Sequence, residues 1–237
     1  MTLRADELTT REITRETFRA SYESLQPLVI ADGARSWAAY RKWTPSYLVE
    51  TLAGQIVKVK YNANGVFDYN DGVETGRVES LELPFGEAAP LIMSEEGNRY
   101  YIQQQEIRKH YGLLVPDLDM PELVAPERIT DINLWFGGAG CKTPLHFDRA
   151  ANFIVQIFGS KHLMLFGPQY KKNLYPALGA RLPHCSRINV FAPDYGQFPL
   201  YEEALPGRID VTLEPGNTLY IPLSLIHISE PTRHLRI

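Results

Sequence analysis

The run Thr143-Pro-Leu-His-Phe-Asp148 decides how this 237-residue chain is read. His146 and Asp148 stand two residues apart in a segment with strand character. Side chains alternate faces along a strand, so positions i and i+2 point the same way and can share one metal ion. Downstream lies a second motif, Gly216-Asn-Thr-Leu-Tyr-Ile-Pro222, followed by His227. A distant His brought alongside by sheet pairing completes a two-His, one-carboxylate set. Such a set on a mononuclear iron leaves coordination positions open for a co-substrate and oxygen.

An HxD pattern alone carries little weight, because a surface strand with one satisfied His has the same letters. A third element strengthens it. The segment Asn152-Phe-Ile-Val-Gln-Ile-Phe-Gly-Ser-Lys-His-Leu-Met-Leu-Phe166 has two arms rich in β-branched, aromatic and leucine residues around Gly159-Ser160, and it predicts a hairpin. Lys161 heads the second, otherwise apolar arm. It is either a solvated strand end or a cation held in a pocket to pair with an acid.

Together these residues resemble the JmjC-type, cupin-like Fe(II)- and 2-oxoglutarate-dependent oxygenases, and among them the factor-inhibiting-HIF type of asparaginyl hydroxylase. The resemblance is carried by Tyr101-Ile-Gln-Gln104, Thr143–Asp148, Asn152-Phe153, Gly159-Ser-Lys161, Leu174-Tyr-Pro176, Pro193-Asp-Tyr195, Phe198-Pro199 and Leu219-Tyr-Ile-Pro222, in order through the C-terminal part of the chain. It implies that His146, Asp148 and His227 are the catalytic Fe(II) ligands. It also implies that Lys161 pairs with the distal carboxylate of 2-oxoglutarate, with the Thr143 hydroxyl and the Tyr101 phenol donating hydrogen bonds to the same group. A charge-assisted Lys–carboxylate bond in a partly dry pocket is stronger than a neutral one. Asn152, by the same likeness, lies near the metal-bound co-substrate or supports a ligand. Thr143 and Asn152 can also be read as ordinary strand polar groups, and Tyr101 as a core aromatic.

Composition bounds the class. A hydrophobic share of 44% and a charged share of 22% are those of a globular chain with a sizeable core. The formal net charge of -4 gives no overall basic field. Nucleic acid is therefore not indicated by charge, although a local patch is left open. Met1-Thr-Leu-Arg-Ala-Asp-Glu-Leu8 has no apolar leader, and no membrane span is visible, so a cytoplasmic location and no membrane partner are expected. Cys141 and Cys185 lie far apart without zinc spacing, which suits a reduced compartment. Gly137-Gly-Ala-Gly-Cys-Lys142 lacks the frame of a phosphate-binding loop and predicts a tight turn.

Along the chain, residues 9 to 25 read as an imperfect amphipathic helix, Pro27-Leu-Val-Ile30 as a short buried strand, and Thr44-Pro45 as the cap and first turn of a second helix ending by Gly54. Gln55–Tyr61 alternates as a strand before the turn Asn62-Ala-Asn-Gly65. From Arg99 onward short strands alternate with Gly/Pro turns. A mainly β fold with N-terminal helices is expected, and the resemblance specifies a cupin-like double-stranded β-helix, or jelly roll. The expected division is an N-terminal elaboration over 1–97, a catalytic core over 98–228, and a segment over 224–237 of non-native character.

That last segment bears on the site. After Pro222 the resembled family has two aromatic residues before its second metal His, whereas this chain reads Leu223-Ser-Leu-Ile-His227. Ser224-Leu-Ile-His-Ile-Ser-Glu-Pro-Thr-Arg233 is similar to a translated sequencing adapter, which would leave the jelly roll C-terminally incomplete and remove a homodimer-forming region of the full-length protein. His227 is nevertheless in register to be a ligand, and His234 has no assigned role.

The expected activity is Fe(II)/2-oxoglutarate-dependent hydroxylation of a C–H bond, with O2 as co-substrate and a polypeptide side chain, or else a small molecule, as substrate. The alternative is a non-redox cupin, either a binding module or a metal-dependent isomerase, including a truncated inactive copy. Such cupins need no Lys facing the metal, so the trio Thr143, Lys161 and Tyr101 speaks against them. Demethylation of methyl-lysine is disfavoured because no Cys/His-rich reader segment accompanies the motifs.

Overall fold

The structure, a computed structural model, describes residues 5–67, 76–119, 123–223 and 225–232. Strand β1 (Asp6–Leu8), helix α1 (Arg15–Ser24) and strand β2 (Leu28–Ile30) are followed by α2 (Ala38–Lys42), α3 (Pro45–Leu52), β3 (Ile56–Tyr61), β4 (Glu79–Pro84) and α4 (Phe85–Met93). The remaining strands are β5 (Tyr100–Glu106), β6 (Asn133–Gly137), β7 (His146–Phe147), β8 (Asn152–Val155), β9 (Ser160–Phe166), β10 (Arg208–Leu213), β11 (Thr218–Ile221) and β12 (Ile226–Thr232).

Among the described residues, these strands form three four-stranded sheets ordered β10-β9-β12-β7, β1-β2-β11-β8 and β4-β3-β5-β6. The first two share a core in which Leu163, Leu165, Ile209 and Val211 of one sheet meet Val29 and Leu219 of the other. This is the jelly roll. Residues before position 98 contribute β1 and β2 directly to its second sheet. The outer face of β9 and β12 is covered by the long connection between β9 and β10, through Leu174, Ile188, Phe198 and Tyr201 against Phe166 and Ile228. Burying an apolar side chain in such a layer contributes about 1.5–3 kcal/mol.

The expected hairpin over Asn152–Phe166 is not formed. β8 pairs with β11 in one sheet, while β9 runs between β10 and β12 in the other. A jelly roll sends consecutive strands into opposite sheets, so the chain turns a corner here instead of folding back on itself. Gly159, at φ +66, supplies a left-handed conformation that other residues adopt at a cost. Gln156 Nε2 donates to the carbonyls of Phe158 (2.8 Å) and Gly159 (3.1 Å), which satisfies the backbone of the corner.

The first helix starts later than its apolar spacing predicts. Thr14 is its N-cap in a capping box with Thr17, while Thr9 and Thr10 are held outside the helix by Glu12 and Asp32. No residue of α1 is buried, although Phe18 packs on Phe153 and Tyr220. The second long helix follows the sequence closely: Thr44 Oγ1 accepts from Tyr47 N (3.1 Å) and Pro45 occupies the first turn. Beneath it, the buried Asp117 accepts from Lys42 Nζ (2.6 Å), Trp43 Nε1 (2.9 Å) and the Tyr47 hydroxyl (3.1 Å). Burial alone would raise this carboxyl, but the three donors hold it below the ordinary value.

Most of the foreign-looking segment lies within the fold. Residues 226–232 form β12, which pairs along its length with β9 and at its start with β7. Ser224 and residues 233–237, including His234, lie outside the described residues.

Candidate metal centre

The β7–β12 ladder sets the site. His227 is directly opposite His146, and cross-strand partners project to the same side of a sheet. The two imidazole centroids are 4.5 Å apart. Asp148, just past the end of β7, completes the group: Oδ1 lies 3.9 Å from His146 Nε2 and Oδ2 lies 3.8 Å from His227 Nε2. Among the described residues this is the one cluster of its kind, with one ligand atom from each residue mutually within 4.8 Å. Donor atoms about 2 Å from a shared ion lie about 3–4 Å from each other, so these separations suit a single cation better than hydrogen bonds.

The donors are prepared for a metal. His146 Nδ1 lies 2.8 Å from the Pro144 carbonyl, which can only accept, so Nδ1 is the donor of that bond and Nε2 is the ring nitrogen turned toward Asp148 and His227. His227 is buried, and burial pushes its imidazole well below the ordinary value, with His146 acting in the same direction and Asp148 opposing. It is therefore neutral, the form that binds metal. Its Nδ1 is buried without a hydrogen-bond partner of good geometry. Asn152 Nδ2 donates to Asp148 Oδ2 (3.0 Å), so Asn152 supports the carboxylate by direct contact.

Lys161 lies four residues before Leu165 on β9, and Leu165 is the register partner of His227. Strand alternation therefore turns Lys161 to the metal-bearing face. Burial depresses its ammonium to about 8, with Cys141 acting in the opposite direction. Among the described residues no carboxylate forms an ion pair with it. Cys141 and Tyr101 pack together in a small buried cluster with Phe67. The Cys141 thiol donates to the carbonyls of Asn98 (3.3 Å) and Tyr100 (3.4 Å), and burial pushes it up to about 12, so it is a thiol and not a thiolate. Thr143 is buried at the head of the metal segment. Tyr101 is opposite Gly137 in the β5–β6 register, where an added Cβ would fall 2.6 Å from its ring. The expected turn Gly137–Lys142 is present, with Gly140 at φ +83.

Two neighbours of the site carry no motif. His184, from the long β9–β10 connection, accepts at its carbonyl from Phe147 N (3.2 Å), and the adjoining Cys185 bridges His146. Burial lowers the His184 imidazole, and His146 and Arg149 add to that shift. No spacing rule links position 184 to position 146, so only the fold reveals the contact. Arg99 is taken up by Glu96 at 2.9 Å.

The jelly roll and its His-Asp-His cluster define a cupin. The model of the family described as the cupin-like domain matches residues 14–232, and the chain belongs to that family. It is similar to lysine-specific demethylase 8 of Xenopus tropicalis, 27% identical over 217 residues that cover 90% of this chain and 47% of that protein. It is similar to Jumonji C domain-containing protein 5 of Drosophila melanogaster, 27% identical over 208 residues, 85% of this chain and 50% of that one. It is also similar to tRNA wybutosine-synthesizing protein 5 of Gallus gallus, 26% identical over 229 residues, 91% of this chain and 70% of that one. The chain spans about half the length of the first two relatives. No helix among the described residues is long and apolar enough to cross a membrane.

Proposed function

We propose that the chain is an Fe(II)- and 2-oxoglutarate-dependent dioxygenase that hydroxylates a substrate C–H bond. The observation that carries this reading is the convergence of His146, Asp148 and His227 on one point, with the unpaired cation Lys161 on the same face of the sheet. Two imidazoles and one carboxylate suit ferrous iron and leave coordination positions free. When bound, iron and 2-oxoglutarate supply oxidative decarboxylation coupled to oxygen insertion. The protein's part is positional. His146, locked by Pro144, and Asp148, held by Asn152, present fixed donors. Lys161, with the Thr143 and Tyr101 hydroxyls, receives the distal carboxylate of the co-substrate, and the buried walls around Tyr101 and Cys141 keep water from that end. The finer assignment to a polypeptide side chain rests on the asparaginyl-hydroxylase likeness. The relatives' names extend from lysine to tRNA, so the substrate is decided by the surface around the metal.

The test is anaerobic titration with Fe(II) and 2-oxoglutarate, followed by the visible metal-to-ligand charge-transfer band, on the parent, His227→Ala and Lys161→Ala. A band in the parent that is lost in the first variant and greatly weakened in the second supports the reading. A parent that binds no iron overturns it in favour of a non-redox or inactive cupin.

A further inference from the structure

Strand β7 is only two residues long, and β12 holds it on one side through the pairs Ile226–Phe147 and His227–His146. The β9–β10 connection holds it on the other. Ser186 N donates to the Leu145 carbonyl (2.6 Å) and Phe147 N donates to the His184 carbonyl (3.2 Å), so Cys185 stands opposite His146 in an antiparallel bridge. Residues 184–186 thus take both backbone groups that flank His146 on this side. They are one arm of a hairpin: Ala177 N donates to the Cys185 carbonyl (2.8 Å), Arg187 N donates to the Tyr175 carbonyl (2.9 Å), and Pro176 bridges Ser186. The metal strand is therefore interior, and the seat of the hairpin decides where His146 stands relative to His227.

One side chain fixes that seat. Ser186 is buried, and its Oγ donates to the Leu174 carbonyl (2.5 Å) while accepting from Ile188 N (3.0 Å). The Leu174 carbonyl belongs to the peptide that leads into Tyr175, which sits at φ +45, a left-handed conformation that is costly for a residue with a Cβ. Such a conformation persists only where the surroundings hold it, and the Ser186 hydroxyl holds it from the opposite arm. Packing does not do so alone. Phe147, Leu174, Ser186 and Ile226 line a small cavity, so side chains do not fill the space between the hairpin and the strands that carry His146 and His227.

We infer that Ser186 is a positioning residue for the metal ligand His146, acting through the hairpin and β7 on the placement of that ring against His227. The inference rests on the proposed metal centre for the ion but not for the placement of the ring. Alanine at 186 leaves the Leu174 carbonyl and Ile188 N without their partner, whereas threonine keeps the hydroxyl. Cysteine exchanges the hydroxyl for a weaker donor.

The test compares the parent with Ser186→Ala, Ser186→Thr, Ser186→Cys and Thr44→Ala, the last of which removes the cap of α3 and so destabilises the fold without touching the hairpin. Two readouts are taken: Co(II) titration followed by the visible d–d spectrum, and, without metal, the His146 Cε1–H resonance, assigned with His146→Ala. Ser186→Ala should bind Co(II) about tenfold more weakly, with altered band positions, and should shift the His146 resonance while those of His110 and His162 stay in place. Ser186→Thr should restore both readouts, Ser186→Cys should fall between parent and Ala and serves if the Ala variant does not fold, and Thr44→Ala should move neither. Parental behaviour of Ser186→Ala, or of Ser186→Cys in its place, a folded Ser186→Thr that behaves like the Ala variant, or the same changes in Thr44→Ala would each overturn the inference. A parent that binds no Co(II) while its His146 resonance still follows Ser186 removes the metal centre and keeps the positioning role. Co(II) binding by the parent with an unmoved resonance and unchanged affinity in the variants does the reverse.

Discussion

His146 and His227 face one another across a two-residue ladder, ring centroids 4.5 Å apart, and that single pairing joins two segments 81 positions apart in the chain. A ligand for both rings ties β7 to β12. A divalent ion at about one hundred times its Kd therefore stabilises the fold by about 2.7 kcal/mol, because it binds the folded state alone. Thermal melts with and without Co(II) or Fe(II) should show a higher Tm in the parent and no shift in His146→Ala. Equal shifts in both would place the ion elsewhere.

Asn152→Ala removes the amide that holds Asp148 Oδ2 at 3.0 Å. Metal affinity should weaken by roughly 10- to 100-fold, the usual effect of losing a group that orients a ligand. Unchanged affinity in a metal titration would show that Asp148 needs no such support.

Lys161 makes co-substrate binding dependent on pH. Its ammonium titrates at about 8, so 2-oxoglutarate affinity should be highest below that value and fall as the pH rises through it. Lys161→Met should weaken binding by about 1.5–3 kcal/mol at neutral pH and flatten the profile. Without co-substrate the sign for stability is the opposite. The unfolded chain keeps this proton to its model value of 10.5, so the contribution of Lys161 to stability rises with pH between about 8 and that value. Calorimetric binding at several pH values checks the first statement and denaturant melts check the second.

Gly137→Ala would place a methyl 2.6 Å from the Tyr101 ring. Displacing Tyr101 should raise the KM for 2-oxoglutarate while metal affinity stays at the parental value. A variant that loses iron as well would show that the cluster around Tyr101 supports the whole barrel mouth.

Asp117→Ala leaves the buried Trp43 Nε1 without its acceptor and removes a partner from the half-buried Tyr47 hydroxyl and the exposed Lys42. A loss of roughly 2–4 kcal/mol is expected in urea melts. Because the folded carboxyl sits below its ordinary value, its contribution is present above an unfolded pKa near 3.8 and fades as the pH falls through the folded value. Asp117→Asn should abolish that acid dependence.

What the sequence determined by itself was local or periodic. Thr44-Pro45 named its helix cap, Val57 and Val59 marked a buried face of β3, and His146 with Asp148 declared a shared face because alternation is a property of a single strand. Other features depended on partners far along the chain. The segment Asn152–Phe166 has the composition of a hairpin, yet its two strands enter different sheets, β8 beside β11 and β9 between β10 and β12. His227 becomes a neighbour of His146, Asn152 a support for Asp148, and His184 a neighbour of the site only once register is set. Register is decided by the apolar faces that the sheets bury together, not by the spacing of any one strand.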